Sequence, residues 1–177
     1  MKPRHIHQDE KNPISMYSLH SIARLTILTI LIMGGHLQAL IAEAAEPKYP
    51  LVTLEIPSIA NTLEAPTSVL TGLQNTIITE FKKKNLFAAV VPTADVLDGV
   101  LVIQGTVTAW EQPTNATNDG TLTIQLTISQ KIVTCPLNRA VITGPVTNAM
   151  LKTGLIEPNH LLVQGTLKFL SSVTGDE

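Results

Sequence analysis

TLTIQLTISQ, residues 121–130, alternates without a break: Leu122, Ile124, Leu126 and Ile128 form one stripe, and Thr121, Thr123, Gln125, Thr127 and Ser129 form the other. A period of two marks a strand with one buried and one uncovered face. The strand therefore belongs to an antiparallel sheet with an open side. Two questions follow: what covers the aliphatic stripe, and what meets the threonines.

Upstream, VLVIQGTVTAW (residues 100–110) reads as the partner strand, joined through the turn-rich EQPTNATNDG (residues 111–120), whose Asp119-Gly120 favours an antiparallel return. Its alternation assigns Leu101, Ile103, Val107 and Ala109 to one face. Val102, Gln104, Thr106, Thr108 and Trp110 fall on the other, which extends the threonine stripe. Gly105 in mid-strand signals a bulge or a close backbone approach. Downstream, a strand is expected at Arg139–Ile142 after a turn at Pro136–Asn138, and Gly144–Asn159 is the least regular stretch.

The cover comes from helices. Val69, Leu70, Leu73, Ile77, Ile78 and Phe81 recur at spacings of three and four, after a Pro66 suited to the first helical position. Lys82, Lys83 and Lys84 then sit near the negative end of the macrodipole, and Asn85 suits a left-handed cap. A helix terminus explains that basic run better than an anionic partner does. Pro158 opens a second helix whose buried set is Leu161, Leu162, Leu167, Phe169, Leu170 and Val173. LVTLEI (51–56) and FAAVV (87–91) add strands, and Asp98-Gly99 adds a turn. The expected fold is α+β and two-layered, a mostly antiparallel sheet of four to five strands with two helices on one face.

The N-terminal stretch concerns location. Residues 25–40 are mostly apolar, follow Arg24 and lead into Ala42-Glu43-Ala44, the pattern of a cleavable secretory signal. Gly34, Gly35, His36 and Gln38 interrupt the run, and a membrane span needs roughly 20 apolar residues, so no stable span is expected after cleavage. Residues 1–44 are thus expected to be a signal with a polar lead, with Met16 a possible true start, and residues 45–177 a single periplasmic or secreted domain. An uncleaved anchor is the alternative.

From Ala45 onward the chain carries eight basic and eleven acidic side chains, a net charge of about −3. No clustered basic face is available for nucleic acid. Cys135 is the one cysteine, so no internal disulfide closes, and its place before Pro136 near a strand end suggests a small buried apolar residue.

The stretch SVLTGLQNTIITEFKKKNLFAAVVPTADVLDGVLVIQGTVTAWEQ (residues 68–112) resembles the helix, short strand and long strand of uncharacterised exported bacterial envelope proteins, similar in layout to the periplasmic α/β domains of curli-secretion and penicillin-binding-protein-activator lipoproteins. Leu73, Ile77, Phe81, Leu86, Phe87, Asp98, Leu101, Ile103, Gly105 and Val107 carry the resemblance. The chain departs from that group in lacking a lipoprotein cysteine and in its short loop after Trp110. The resemblance implies an envelope accessory or assembly factor and no catalytic residue.

Catalytic chemistry has little to stand on. From Ala45 onward there is no Gly-x-Ser-x-Gly elbow, no phosphate-binding glycine loop and no metal-spaced Cys or His pair, and His5-x-His7 beside the signal, with two ligands, falls far short of a metal site. His160 with Cys135 is the one nucleophile–base combination available, and Asp95 and Asp98 suit a turn better than a paired-carboxylate cleft. Neither a metal nor a cofactor is expected. Three readings remain: a non-catalytic accessory domain that meets an envelope protein, or a second copy of itself, through its open face or a strand edge; a small-ligand module with a pocket between helix and sheet; and a minor hydrolase or isomerase. For the first, the candidate contact residues are Trp110, Thr106, Thr108, Thr123, Gln125, Thr127 and Arg139. Trp110, rimmed by Glu111 and Gln112, is either an interface anchor or a satellite of the core folded over the sheet end. Arg139 either pairs with Glu111 or meets a partner. Asn115-Ala116-Thr117 fits a glycosylation acceptor, which has meaning only in a eukaryotic secretory pathway.

Overall fold

The apolar period of residues 69–81 is realised as helix α1, Thr67–Lys84, with Val69, Leu70, Leu73, Ile77, Ile78 and Phe81 all buried. Pro66 stands one place before the helix, and Asn85 ends it in the left-handed conformation at φ 50° with its N–H on the Lys82 carbonyl. The computed structural model describes residues 45–114, 118–133 and 135–175. The signal pattern and the Asn115-Ala116-Thr117 motif lie outside them.

Five strands form one sheet: β1 (Tyr49–Glu55), β2 (Phe87–Val91), β3 (Val100–Glu111), β4 (Gly120–Gln130) and β5 (Pro136–Val146), in the order β2-β1-β3-β4-β5. The β1–β2 and β1–β3 pairs are parallel, whereas the long β3–β4 and β4–β5 ladders are antiparallel. Two further helices follow, α2 (Asn148–Thr153) and α3 (Leu161–Thr174). The fold is thus α+β, with an open and mostly antiparallel sheet.

The aliphatic stripe of β4 is the centre of the core. Leu122, Ile124 and Ile128 are fully buried, as are Leu54 of β1, Leu73 of α1 and Leu162 of α3. Burying a side chain of this size contributes roughly 1.5–3 kcal/mol, so these facing stripes supply the main force holding sheet to helices. Gln74, the buried polar residue of α1, keeps its amide satisfied by donating to the Ile56 carbonyl at 2.8 Å. Between the layers the space is about 20 Å³, lined by Ile56, Leu73, Gln74, Ile103 and Thr166 among others.

Several local expectations change. β5 runs from Pro136 to Val146, beyond the four residues expected, because Ala140, Ile142, Gly144 and Val146 continue the inward set against β4. The stretch expected to be least regular contains α2, capped by the Thr147 hydroxyl at its start and by left-handed Gly154 at its end. The last helix begins at Leu161 rather than at Pro158, because His160 supplies its cap through a bond from the Leu162 N–H. Gly105 is a close-approach glycine. The backbone of Ala60 runs beside β3, bonded to the Gly105 carbonyl and the Val107 N–H at 2.9 Å each, and a Cβ at Gly105 would lie 3.3 Å from both Ile59 and Ile124. The bulge comes three residues later, at Thr108, where the ladder slips between Val107 and Ala109.

Candidate functional site

The helices α1 and α3 bury the inward stripe, and among the described residues the threonine side of β3, β4 and β5 is left uncovered along most of its length. Three cross-strand rows make up this face: Thr106, Gln125 and Val141; Gln104, Thr127 and Arg139; and Ala109, Thr123 and Thr143. Thr123 and Thr143 share a hydroxyl–hydroxyl hydrogen bond at 3.0 Å, and the Thr108 hydroxyl donates to the Thr123 carbonyl at 3.4 Å. The β4 threonines and Gln125 are half-buried by their strand neighbours. Val141 stands out of the surface, 66% exposed. The face is polar and nearly uncharged, with Arg139 as a cation on it, so it suits hydrogen-bonded contact with another polar surface.

The bulge at Thr108 moves Trp110 to the opposite side. Trp110 stands opposite Leu122, on the aliphatic stripe, and packs half-buried against the core. Unbroken alternation would have kept it with the threonines; the extra residue reverses the facing of everything after it. For the same reason Ala109, expected inward, is exposed beside Thr123. Thr106, Thr108, Thr123, Gln125, Thr127 and Arg139 remain together on the open face, and Trp110 leaves the group. Val141 and Thr143 join it. Their signal was in the sequence, since Arg139, Val141 and Thr143 alternate with Ala140, Ile142 and Gly144.

Arg139 does not pair with Glu111. The first is opposite Thr127 and the second opposite Thr121, so six residues of β4 separate them, roughly 20 Å at the rise of an extended strand.

At one end the open face is closed by the loop between β2 and β3. Glu55 projects from β1 on this side and is nonetheless 8% exposed. Its carboxylate accepts from Lys131 Nζ at 2.7 Å and from the Ala94 N–H at 3.2 Å. The same lysine donates to the Ala94 carbonyl at 2.6 Å. The buried charge is thereby paired and hydrogen-bonded, as a charge away from water must be. Sequence reading placed Glu55 opposite Leu54 and Ile56 correctly, but gave no sign that a loop would cover it.

The other sequence candidates separate. Cys135 is exposed, contrary to the buried setting expected of it, because it lies in the turn before β5 rather than within a strand. His160 Nε2 bonds the Pro145 carbonyl at 2.8 Å, at the far end of β5 from Cys135. Nine residues of strand separate Pro136 from Pro145, roughly 30 Å, so no Cys135–His160 dyad forms. The interlayer space of about 20 Å³ is the size of a water site, far below the roughly 300–1,000 Å³ of ligand pockets. Among the described residues no group of three His, Cys, Asp or Glu stands close enough to hold a metal ion, and no helix is long and apolar enough to cross a membrane.

No protein-family model and no curated protein sequence matches the chain. Some solved structures are similar to it at low identity. The PelC dodecamer from Paraburkholderia phytofirmans is 15% identical with a TM-score of 0.45, over 56% of this chain and 75% of that one. A DUF330 protein from Xanthomonas campestris is 12% identical with a TM-score of 0.48, over 75% and 90% respectively. A lipoprotein from Neisseria meningitidis is 10% identical with a TM-score of 0.42, over 70% of this chain and 99% of that one. At such identities and TM-scores these likenesses transfer no function to the chain.

Proposed function

We propose that the chain is a non-catalytic accessory or assembly protein, exported to the bacterial envelope, and that it binds a protein partner through the open face of its sheet. The observation that carries this reading is the face itself, a row-by-row surface of Thr106, Gln125, Val141, Thr127, Thr123 and Thr143 that none of the described helices covers. Hydroxyl and amide groups on a rigid sheet lose little conformational freedom on contact, which favours recognition of a flat partner. Export rests on the apolar run of residues 25–40 and the small-residue pattern after it. The space between the layers is too small for a metabolite, which weighs against the small-ligand reading.

The test is native mass spectrometry of C-terminally tagged protein drawn gently from its own envelope fraction. The expected species is a chain beginning near Ala45 bound to a second, defined protein. The complex should be lost in Gln125→Arg/Thr127→Glu, whose changes lie wholly on the open face. Persistence of the complex in that variant, or the absence of any second protein in the wild type, would overturn the reading.

A further inference from the structure

The β5 strand is a sheet edge, and its outward backbone groups are stopped at both ends. In an antiparallel pair, alternate residues turn their N–H and C=O toward the partner strand or away from it. The register between β4 and β5 is continuous from Asn138 to Val146. Pro145 fixes the phase: it has no N–H, and its carbonyl bonds His160 rather than β4. Residues 139, 141, 143 and 145 therefore point outward. The Arg139 N–H agrees, since it donates to Asn138 Oδ1 at 2.8 Å.

One end of the edge is thus blocked by Pro145 and His160, and the other by the Asn138 side chain on the Arg139 N–H. Between these blocks lie two residues, Val141 and Thr143, each presenting one donor and one acceptor to the free side. Val141 is 66% exposed, and among the described residues no other segment is bonded to this window. Edge strands in monomers are usually blunted along their length; this one is blunted at its ends and open in the middle.

We infer that β5 pairs with β5 of a second copy, antiparallel, with Val141 of each copy opposite Thr143 of the other. This register matches the outward donors and acceptors of Val141 and Thr143 in each chain, giving four reciprocal hydrogen bonds. A shift by two residues would set Thr143 against Arg139, whose N–H is already engaged, or Val141 against Pro145, which has none. The two-fold axis then passes between the two copies of Ile142. These half-buried side chains, which border α3 at Gly165, meet as a close non-hydrogen-bonded pair. The inference concerns the strand edge and stands apart from the partner proposed for the open face.

The contact is small, so a weak dimer is expected, with a dissociation constant on the order of 10–100 μM. Sedimentation equilibrium of residues 45–177 should show it. Thr143→Pro removes an outward donor while leaving the ladder to β4 intact, because proline is tolerated where an edge N–H faces away from the sheet. That variant should be monomeric with an unchanged circular dichroism spectrum and the melting temperature of Thr143→Val, which loses the same hydroxyl bond to Thr123 but keeps the outward N–H. In a Cys135→Ser background, Ile142→Cys should oxidise to a disulfide-linked dimer, whereas Ala140→Cys, which would face Gly144 of the other copy, should not. Wild type that stays monomeric at hundreds of micromolar, or cross-linking at position 140 as efficient as at 142, would overturn the pairing. If Thr143→Pro melts early, the two cysteine variants decide. A wild type that stays monomeric while the envelope partner is retained would refute this inference alone, and a wild-type dimer with no envelope partner would refute only the open-face reading.

Discussion

Lys131→Met breaks the ion pair that closes one end of the open face, and its cost can be worked from the geometry. The methionine keeps most of the aliphatic stem, so little packing is lost. What disappears is the 2.7 Å contact to Glu55 and the 2.6 Å bond to the Ala94 carbonyl. The Glu55 side chain is 10% exposed and that of Lys131 22%. Removing one partner of a fully buried pair costs about 3–5 kcal/mol, and an exposed pair is worth under about 1 kcal/mol. This pair lies nearer the buried limit, and water reaches the lysine more readily than the carboxylate; we expect about 2–3 kcal/mol. The converse variant, Glu55→Gln, should cost less, because Lys131 can turn to solvent whereas the Glu55 carboxylate cannot. In the double variant the losses should fall short of their sum by about 1 kcal/mol or more, the signature of direct coupling. Urea unfolding followed by circular dichroism is the assay, and with a slope of roughly 2 kcal/mol/M the midpoint of Lys131→Met should fall by about 1 M. A loss below about 0.5 kcal/mol, typical of a surface substitution, or a costlier Glu55→Gln, would refute the reasoning.

Four shorter predictions address the rest of the fold. Gly72→Ala should destabilise by about 1–3 kcal/mol despite alanine's better helix propensity, because its Cβ would lie 1.8 Å from the Gly154 carbonyl oxygen; a thermal melt equal to or above wild type would contradict that packing. His160→Ala should cost about 1–2 kcal/mol through loss of the α3 cap and of the bond to Pro145, with His160→Asn recovering part of it by capping alone; equal melting of all three proteins would exclude the cap. Trp110→Ala should lower stability by about 2 kcal/mol, since the ring packs on the core side beside Leu122; unaltered urea unfolding would return the ring to the open face. Cys135 should react with a thiol reagent at once in the folded protein, and protection until denaturant is added would show it to be covered.

Residues 121–130 and 69–81 were fully legible because each carries a single unbroken period, and burial of one stripe leaves no other way to place them. The turn and cap residues Asn85, Gly99 and Gly154 hold left-handed or positive-φ positions, as their types allow. Legibility failed where a long-range contact overrides the local pattern. The bulge at Thr108 exchanges the faces of Ala109 and Trp110, and its only trace in the sequence is a missed beat indistinguishable from ordinary variation. The inward continuation of β5 past Ile142 depends on Gly144, whose absent Cβ leaves space for Leu162 of α3.

By itself, then, the sequence determined the class of the fold, the inward set of the central strand and the long helix, and the presence of an uncovered polar face, because periodicity and apolar burial are local properties. Tertiary structure alone decided which side Trp110 takes, that a loop closes over Glu55 with Lys131 as its counter-ion, that Cys135 and His160 stand at opposite ends of β5, and that along the edge of that strand the Arg139 N–H and the Pro145 carbonyl are engaged. Most of these depend on groups far apart in the chain meeting in space, and no local period records such a meeting.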